Sequence, residues 1–190
     1  MRLSQIWAAG LATVFVAGAA LAQAFPVLSF DEMISADLAQ IQQQHRRLQT
    51  GDLFFNPNVD NNARSKATFT GESRPIDDRR QAFIIAFASS SGGNQNYAGL
   101  YRREYLFRSG GKDLWLPVQA QVAAYFAKEL AAGTPVTLYL RNAGGYRLEK
   151  AWEWVFLVEE FDGPKGSAKP EPAPGKPRTP VIPPGPKTLT

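Results

Sequence analysis

Two alternating runs meet at a Gly-Gly turn near the middle of the chain, and this hairpin limits the possible folds sharply. Leu100–Arg108 and Leu114–Pro117 flank Ser109-Gly110-Gly111-Lys112. A two-residue hairpin turn needs positive φ at its centre, which glycine adopts without steric penalty. The turn sets the register, with Arg108 facing Asp113, Phe107 facing Leu114, Leu106 facing Trp115 and Tyr105 facing Leu116. Successive strand side chains point to opposite faces. Tyr105, Phe107, Leu114 and Leu116 therefore form a core surface. Arg102, Glu104, Leu106, Arg108, Asp113 and Trp115 form the other, a mixed surface with one large aromatic.

Further elements extend from this hairpin in both directions. Lys66–Gly71 alternates weakly, and the apolar run Arg80–Ser89 (RQAFIIAFAS) reads as a strand, followed by a Ser/Gly/Asn loop. After Pro117, which suits a first helical turn, Val118, Val122, Phe126 and Leu130 recur at every fourth position until Gly133. Val136–Arg141 alternates cleanly; Asn142–Lys150 reads as a loop; Trp152–Phe161 is a strand apolar on both faces, as a central strand would be. Toward the N-terminus, Ser29-Phe30-Asp31-Glu32 fits a capping box, and Leu28 and Met33 are spaced as a hydrophobic staple. Ile34, Leu38, Ile41, His45 and Leu48 then mark one stripe of a helix that Gly51 would stop.

From Arg80 to Asp162 the order strand, strand, strand, helix, strand, strand resembles the OB-fold, a five-stranded Greek-key barrel. Gly133-Thr134-Pro135-Val136-Thr137-Leu138, entering the strand after the helix, is similar to that superfamily as well. The resemblance implies a mainly-β (α+β) domain, an OB-like five-stranded antiparallel barrel with one helix between strands 3 and 4, to which the preceding amphipathic helix is an addition. It also implies a binding face on strands 2 and 3 with the loops beside them. In this chain that face comprises Arg102, Glu104, Leu106, Arg108 and Trp115, flanked by Ser89–Ala98 and by Asn142–Lys150 with Tyr146 and Arg147. An aromatic beside arginines can stack a sugar or a base, or hold an acidic group. An ordinary solvated face, with a Leu106–Trp115 cross-strand pair and an Arg108–Asp113 ion pair, accounts for the same residues.

Four segments follow: a cleavable signal peptide over 1–24, a helix and Asn-rich loop over 25–65, the barrel over 66–162, and a Pro/Lys-rich tail over 163–190. Met1-Arg2, an uncharged apolar or small run from Ile6 to Leu21, and Ala22-Gln23-Ala24 have the layout of a secretory signal. Export to the periplasm or beyond is the expectation. The chain has no cysteine, so the exported domain must fold without disulfides. Nine of the 14 prolines lie in the tail, a composition that cannot bury enough surface to order itself and favours polyproline II. The tail also carries Lys165, Lys169, Lys176, Arg178 and Lys187 against Glu171 alone, cations that could contact an anionic polymer. Taking its +4 and the +1 of Arg2 from the whole-chain +4 leaves −1 for residues 25–162. Nucleic-acid binding usually needs a basic footprint, so none is expected of the domain.

No catalytic set stands out. His45 is the single histidine and lies on the helix stripe, and no GxSxG or phosphate loop is present. Asp77-Asp78 reads as part of a charged turn, and Glu159-Glu160 point to opposite strand faces. Asn56, Asn58 and Asp60 have calcium-loop spacing, but Asn61 and Ala67 stand where the motif needs Gly and Glu. The expectation is a non-catalytic binding or adaptor domain for an envelope protein or glycan, without cofactor or metal. A glycan-cleaving enzyme using two carboxylates is the alternative, and an oligonucleotide-binding OB protein a third reading.

Overall fold

The computed structural model describes residues 25–44, 49–56, 62–91 and 95–164. The signal segment, His45 and Leu48, Asn58 and Asp60, and the tail cations lie outside the described residues. The elements run α1 (Phe30–Gln43), β1 (Leu53–Phe55), β2 (Asn62–Pro75), α2 (Asp78–Ser90), a 3-10 turn (Gln95–Leu100), β3 (Tyr101–Ser109), β4 (Lys112–Gln119), α3 (Ala120–Glu129), β5 (Pro135–Leu148) and β6 (Ala151–Asp162). Strands β2-β3-β4-β6-β5 close into a barrel as β5 returns to β2, and β1 adds to the free part of β5. The fold is a mainly-β, OB-like five-stranded barrel with a helix between its third and fourth strands. No helix among the described residues is long and apolar enough to cross a membrane.

The hairpin register is as the turn dictates. Arg108, Phe107, Leu106 and Tyr105 pair with Asp113, Leu114, Trp115 and Leu116, and Gly110 and Gly111 have φ of +58° and +77°. The barrel is mixed rather than purely antiparallel, because β6 returns beside β4 in the same direction, with Val118 opposite Val158.

Other expectations are corrected. Arg80–Ser89 is helical, and the first barrel strand is β2. Asp77 caps the helix by accepting from the Arg80 N–H at 2.8 Å. The buried residues Arg80, Phe83, Ile84, Phe87 and Ala88 follow a helical period. A short apolar run fits either element by composition, and here the cap decides. Asn142–Lys150 is not a loop: β5 continues to Leu148, paired with β6 on both sides of a bulge at Ala143, and only Glu149 and Lys150 turn. Gly144 is there for close approach, since a Cβ on it would strike the Phe54 carbonyl of β1. Pro117 stays in β4, and α3 begins at Ala120. Helix α1 has the expected capping box but ends at Gln43, and its buried face is Phe30, Met33, Asp37 and Ile41, with Ile34 and Leu38 half-buried beside it.

Two cores result. Inside the barrel, Phe126 of α3 meets Phe69, Tyr105, Phe107 and Phe161 edge-on at 5.0 to 6.0 Å between centroids. Phe30 of α1 packs on Phe156 at 5.1 Å. Each buried aromatic removes a large apolar area from water, and such edge contacts add about 0.5–1.5 kcal/mol apiece. The second core lies on the outer face of β5 and β6, where α2 sets Phe83, Ile84 and Phe87 against Ala143, Val155 and Leu157. The 3-10 turn joins it through Tyr97, whose hydroxyl donates to Glu159 at 2.8 Å, an acceptor shared with Arg141 Nε at 3.0 Å. Burial, reinforced by Tyr101 and Glu159, holds the Tyr97 phenol far above its usual range.

Asp37 is the polar exception under α1. It is fully buried and accepts from Asn56 Nδ2 at 2.8 Å and Asn142 Nδ2 at 2.9 Å. Burial pushes its pKa up to about 6, although both amides favour the ionised form. A raised carboxylate binds its proton more tightly in the folded state, so its stabilisation is complete below the unfolded value near 3.8 and is lost as pH rises through 6. The stability of the native chain minus that of Asp37→Asn, measured by urea unfolding, should fall by about 2 kcal/mol between pH 4 and pH 6.5.

Candidate functional site

Main-chain pairing between β4 and β6 is confined to the Val118–Val158 position. Nearer the start of both strands a groove of about 390 Å³ opens between Asp113–Leu116 and Trp152–Phe156. Trp115 stands on one side. On the other, the alternation of β6 puts Trp152 and Trp154 on one face, stacked at 5.7 Å with an interplanar angle of 26°.

The groove is bridged by Arg80, from the first turn of α2, whose side chain is 7% exposed. Its Nη1 donates to Glu104 of β3 and to the Trp115 carbonyl of β4 at 3.1 Å, and its Nη2 to Glu153 of β6 at 3.3 Å. Burial disfavours the Arg80 charge, but Glu104 outweighs it with help from the Tyr146 hydroxyl, and the guanidinium is held above its ordinary pKa. Glu104 is 0% exposed and also accepts from Arg74 Nε. The Arg74 guanidinium in turn lies over the Trp115 ring at 4.1 Å, a cation–π contact that fixes the indole. Acid, two arginines and tryptophan thus form one connected unit.

Of the seven residues expected on one binding face, Trp115 lines this groove and Glu104 stands behind it through Arg74 and Arg80. Glu104 is not on a solvated face, because the two arginines cover it. Leu106 is buried as well. Arg108 is exposed and paired with Asp113 at 2.9 Å. Arg102 is exposed, its Nε donating to the Gly99 carbonyl at 3.4 Å. Tyr146 and Arg147 sit on β5 rather than in a loop and line a different cavity. The reading from sequence missed Arg74, Arg80, Trp152, Glu153 and Trp154. The Trp152-Glu153-Trp154 alternation carried the signal for one wall, whereas Arg80 was hidden by reading its helix as a strand.

The arrangement can stack a flat or ring-shaped ligand against indoles and offer it charged groups on both sides. Both carboxylates of the groove have guanidinium partners: Asp113 accepts from Arg108 and Glu153 from Arg80. The chain matches no protein-family model and no curated protein.

Removing one member of a buried pair strands the other. Glu104→Gln should lower unfolding stability by about 3–5 kcal/mol, and the double variant Arg80→Met/Glu104→Met should recover most of that loss. Urea unfolding of both variants checks the contrast.

Proposed function

We propose that the chain is an exported, non-catalytic binding domain that holds an envelope glycan in the tryptophan groove. The observation supporting it is the pairing of indole walls with charged side chains in one groove of about 390 Å³. Apolar ring faces with a few convergent polar groups are the usual make-up of a small-ligand site. A broad protein interface is less well supported. The exposed large apolar residues among the described ones, Val27, Leu53, Ile85 and Leu100, are spread over four separate segments. A cleaving enzyme needs one carboxyl as acid and the other as base or nucleophile, whereas both groove carboxylates are engaged by arginines. The −1 charge of residues 25–162 disfavours nucleic acid.

The Met1–Ala24 signal layout supports export, to the periplasm or outside the cell. The tail cations Lys165, Lys169, Lys176, Arg178 and Lys187 add attraction to anionic envelope polymers without defining the ligand.

Short oligomers of N-acetylglucosamine, titrated into the protein, should change the tryptophan fluorescence saturably. Trp115→Ala or Trp152→Ala should each weaken binding by about 30-fold, the loss expected of an aromatic anchor worth about 2 kcal/mol. Removing residues 165–190 should leave that affinity unchanged. Equal affinity in the native chain and both tryptophan variants would remove the groove from the function.

A further inference from the structure

A second cavity, of about 260 Å³, lies where α2, β1 and the end of β5 meet, and it shares no residue with the tryptophan groove. Its apolar walls include Leu53, Ala82, Phe83, Tyr146 and Leu148. Leu53 pairs with Tyr146 across β1 and β5, so both side chains stand on one face of the sheet. That face is the one α2 covers, since the Phe83 ring lies 5.6 Å from the Tyr146 ring.

The outward side of α2 continues from this hollow. β1 runs along one flank of the helix, with the Phe55 ring 5.3 Å from that of Phe83. The 3-10 turn runs along the other, its Ala98 carbonyl accepting from Gln81 Nε2 at 3.3 Å. Leu53, Ile85 and Leu100 come from these three neighbouring elements and are 44, 47 and 41% exposed. Although distant in sequence, they are thus gathered on one side of the molecule. Ile85 follows Ala82 by three positions, one turn along the helix and about 60° round it. It therefore stands as an aliphatic knob beside the hollow rather than in it. Asp78 and Arg79, in the first turn, are the exposed charged residues of the helix.

We propose that this face joins two copies of the chain in a two-fold dimer, with the Ile85 side chain of each seated in the hollow of the other. A knob and a hollow on one face are exchanged by a single two-fold axis, lying in that face midway between them and perpendicular to the line joining them. Both contacts then form at once, as an isologous interface requires. A dry cavity of roughly 150 Å³ already takes benzene, so the hollow has room for the four-carbon side chain of isoleucine. Asp78 and Arg79 cancel, and a neutral face meeting its own copy is not repelled. Area sets the strength of the contact. The 13-residue helix is about 20 Å long, and with its two flanking elements the face covers roughly 500 Å² on each copy. Roughly 1,000 Å² in total is the lower limit for a specific interface. The dimer is accordingly reversible, in the micromolar range.

Sedimentation velocity on the mature chain, residues 25–190, from about 1 μM to about 500 μM should show a monomer–dimer equilibrium with its midpoint in that range. Ile85→Asp, at an exposed helix position, should raise the dissociation constant by about 30-fold or more, because the dimer would bury the new charge twice. Ala82→Trp, also at an exposed position, fills the hollow and should weaken the dimer similarly. Helical circular dichroism equal to that of the native chain shows that each variant is folded, and either variant tests the face alone if the other unfolds. Val27→Asp, at an exposed position on a different segment, should leave the dimer unchanged, as should Trp115→Ala in the groove. Removing residues 165–190 should also leave it intact; a dimer lost with the tail would make the tail the occupant and overturn the proposal. The proposal equally fails if the chain stays monomeric throughout, if a folded Ile85→Asp or Ala82→Trp dimerises like the native chain, or if species larger than the dimer form.

Discussion

The Arg80 guanidinium occupies the place where a main-chain ladder would otherwise run between β4 and β6. It reaches Glu104 on β3, the Trp115 carbonyl on β4 and Glu153 on β6 from a position on α2. One side chain therefore joins three strands and a helix. As a contribution to stability this is a poor device, since desolvating two charges offsets much of their attraction. Its value is geometric. A planar fork with several donors can serve acceptors on different strands at once, which a lysine ammonium on a flexible stem does less well. The barrel can then remain unpaired beside Val118–Val158 without losing the spacing of its walls.

That unpaired stretch is what gives the molecule a groove. Residues on strands are held more firmly than residues on loops, so Trp115, Trp152 and Trp154 start from fixed positions. Arg74 extends the effect by covering the Trp115 ring while pairing with Glu104. The OB-fold resemblance pointed to the open face of the second and third strands. Here Glu104 and Leu106 on that face are buried, and the accessible aromatic surface is moved toward the seam between the third and fifth barrel strands. The insertion of α2 between the first two barrel strands accompanies this shift, because the same helix delivers Arg80.

Much of the barrel could be read from the chain because its signals are local. The Gly110-Gly111 turn, the alternation of Val136–Arg141 and the capping box at Ser29 each depend on residues within a few positions of one another. The errors came where a distant partner decides. RQAFIIAFAS has the composition of a strand, and only its Asp77 cap and the outer faces of β5 and β6 make it a helix. Gly144 resembles a loop former until β1 is seen to pass against it. Asp37 lay among polar helix residues with nothing to mark it as buried, because its partners Asn56 and Asn142 are 19 and 105 positions away. The candidate site was half legible for the same reason. Trp115 followed from the hairpin, but the groove is made by pairing that stops, and pairing that stops leaves no pattern in the sequence.

The first turn of α2 contributes to both cavities through adjacent residues. Arg79 lines the apolar one and Arg80 the tryptophan groove. Consecutive helix positions are separated by about 100°, so neighbours on one turn face different surroundings. Asp77 fixes that turn by capping it, and Phe83 and Ile84 one turn later clamp it to the sheet. A displacement of this turn would move both arginines together. The cap and the buried Arg80–Glu104 pair hold that turn against the sheet from two sides, which an apolar side chain in place of Arg80 would not do.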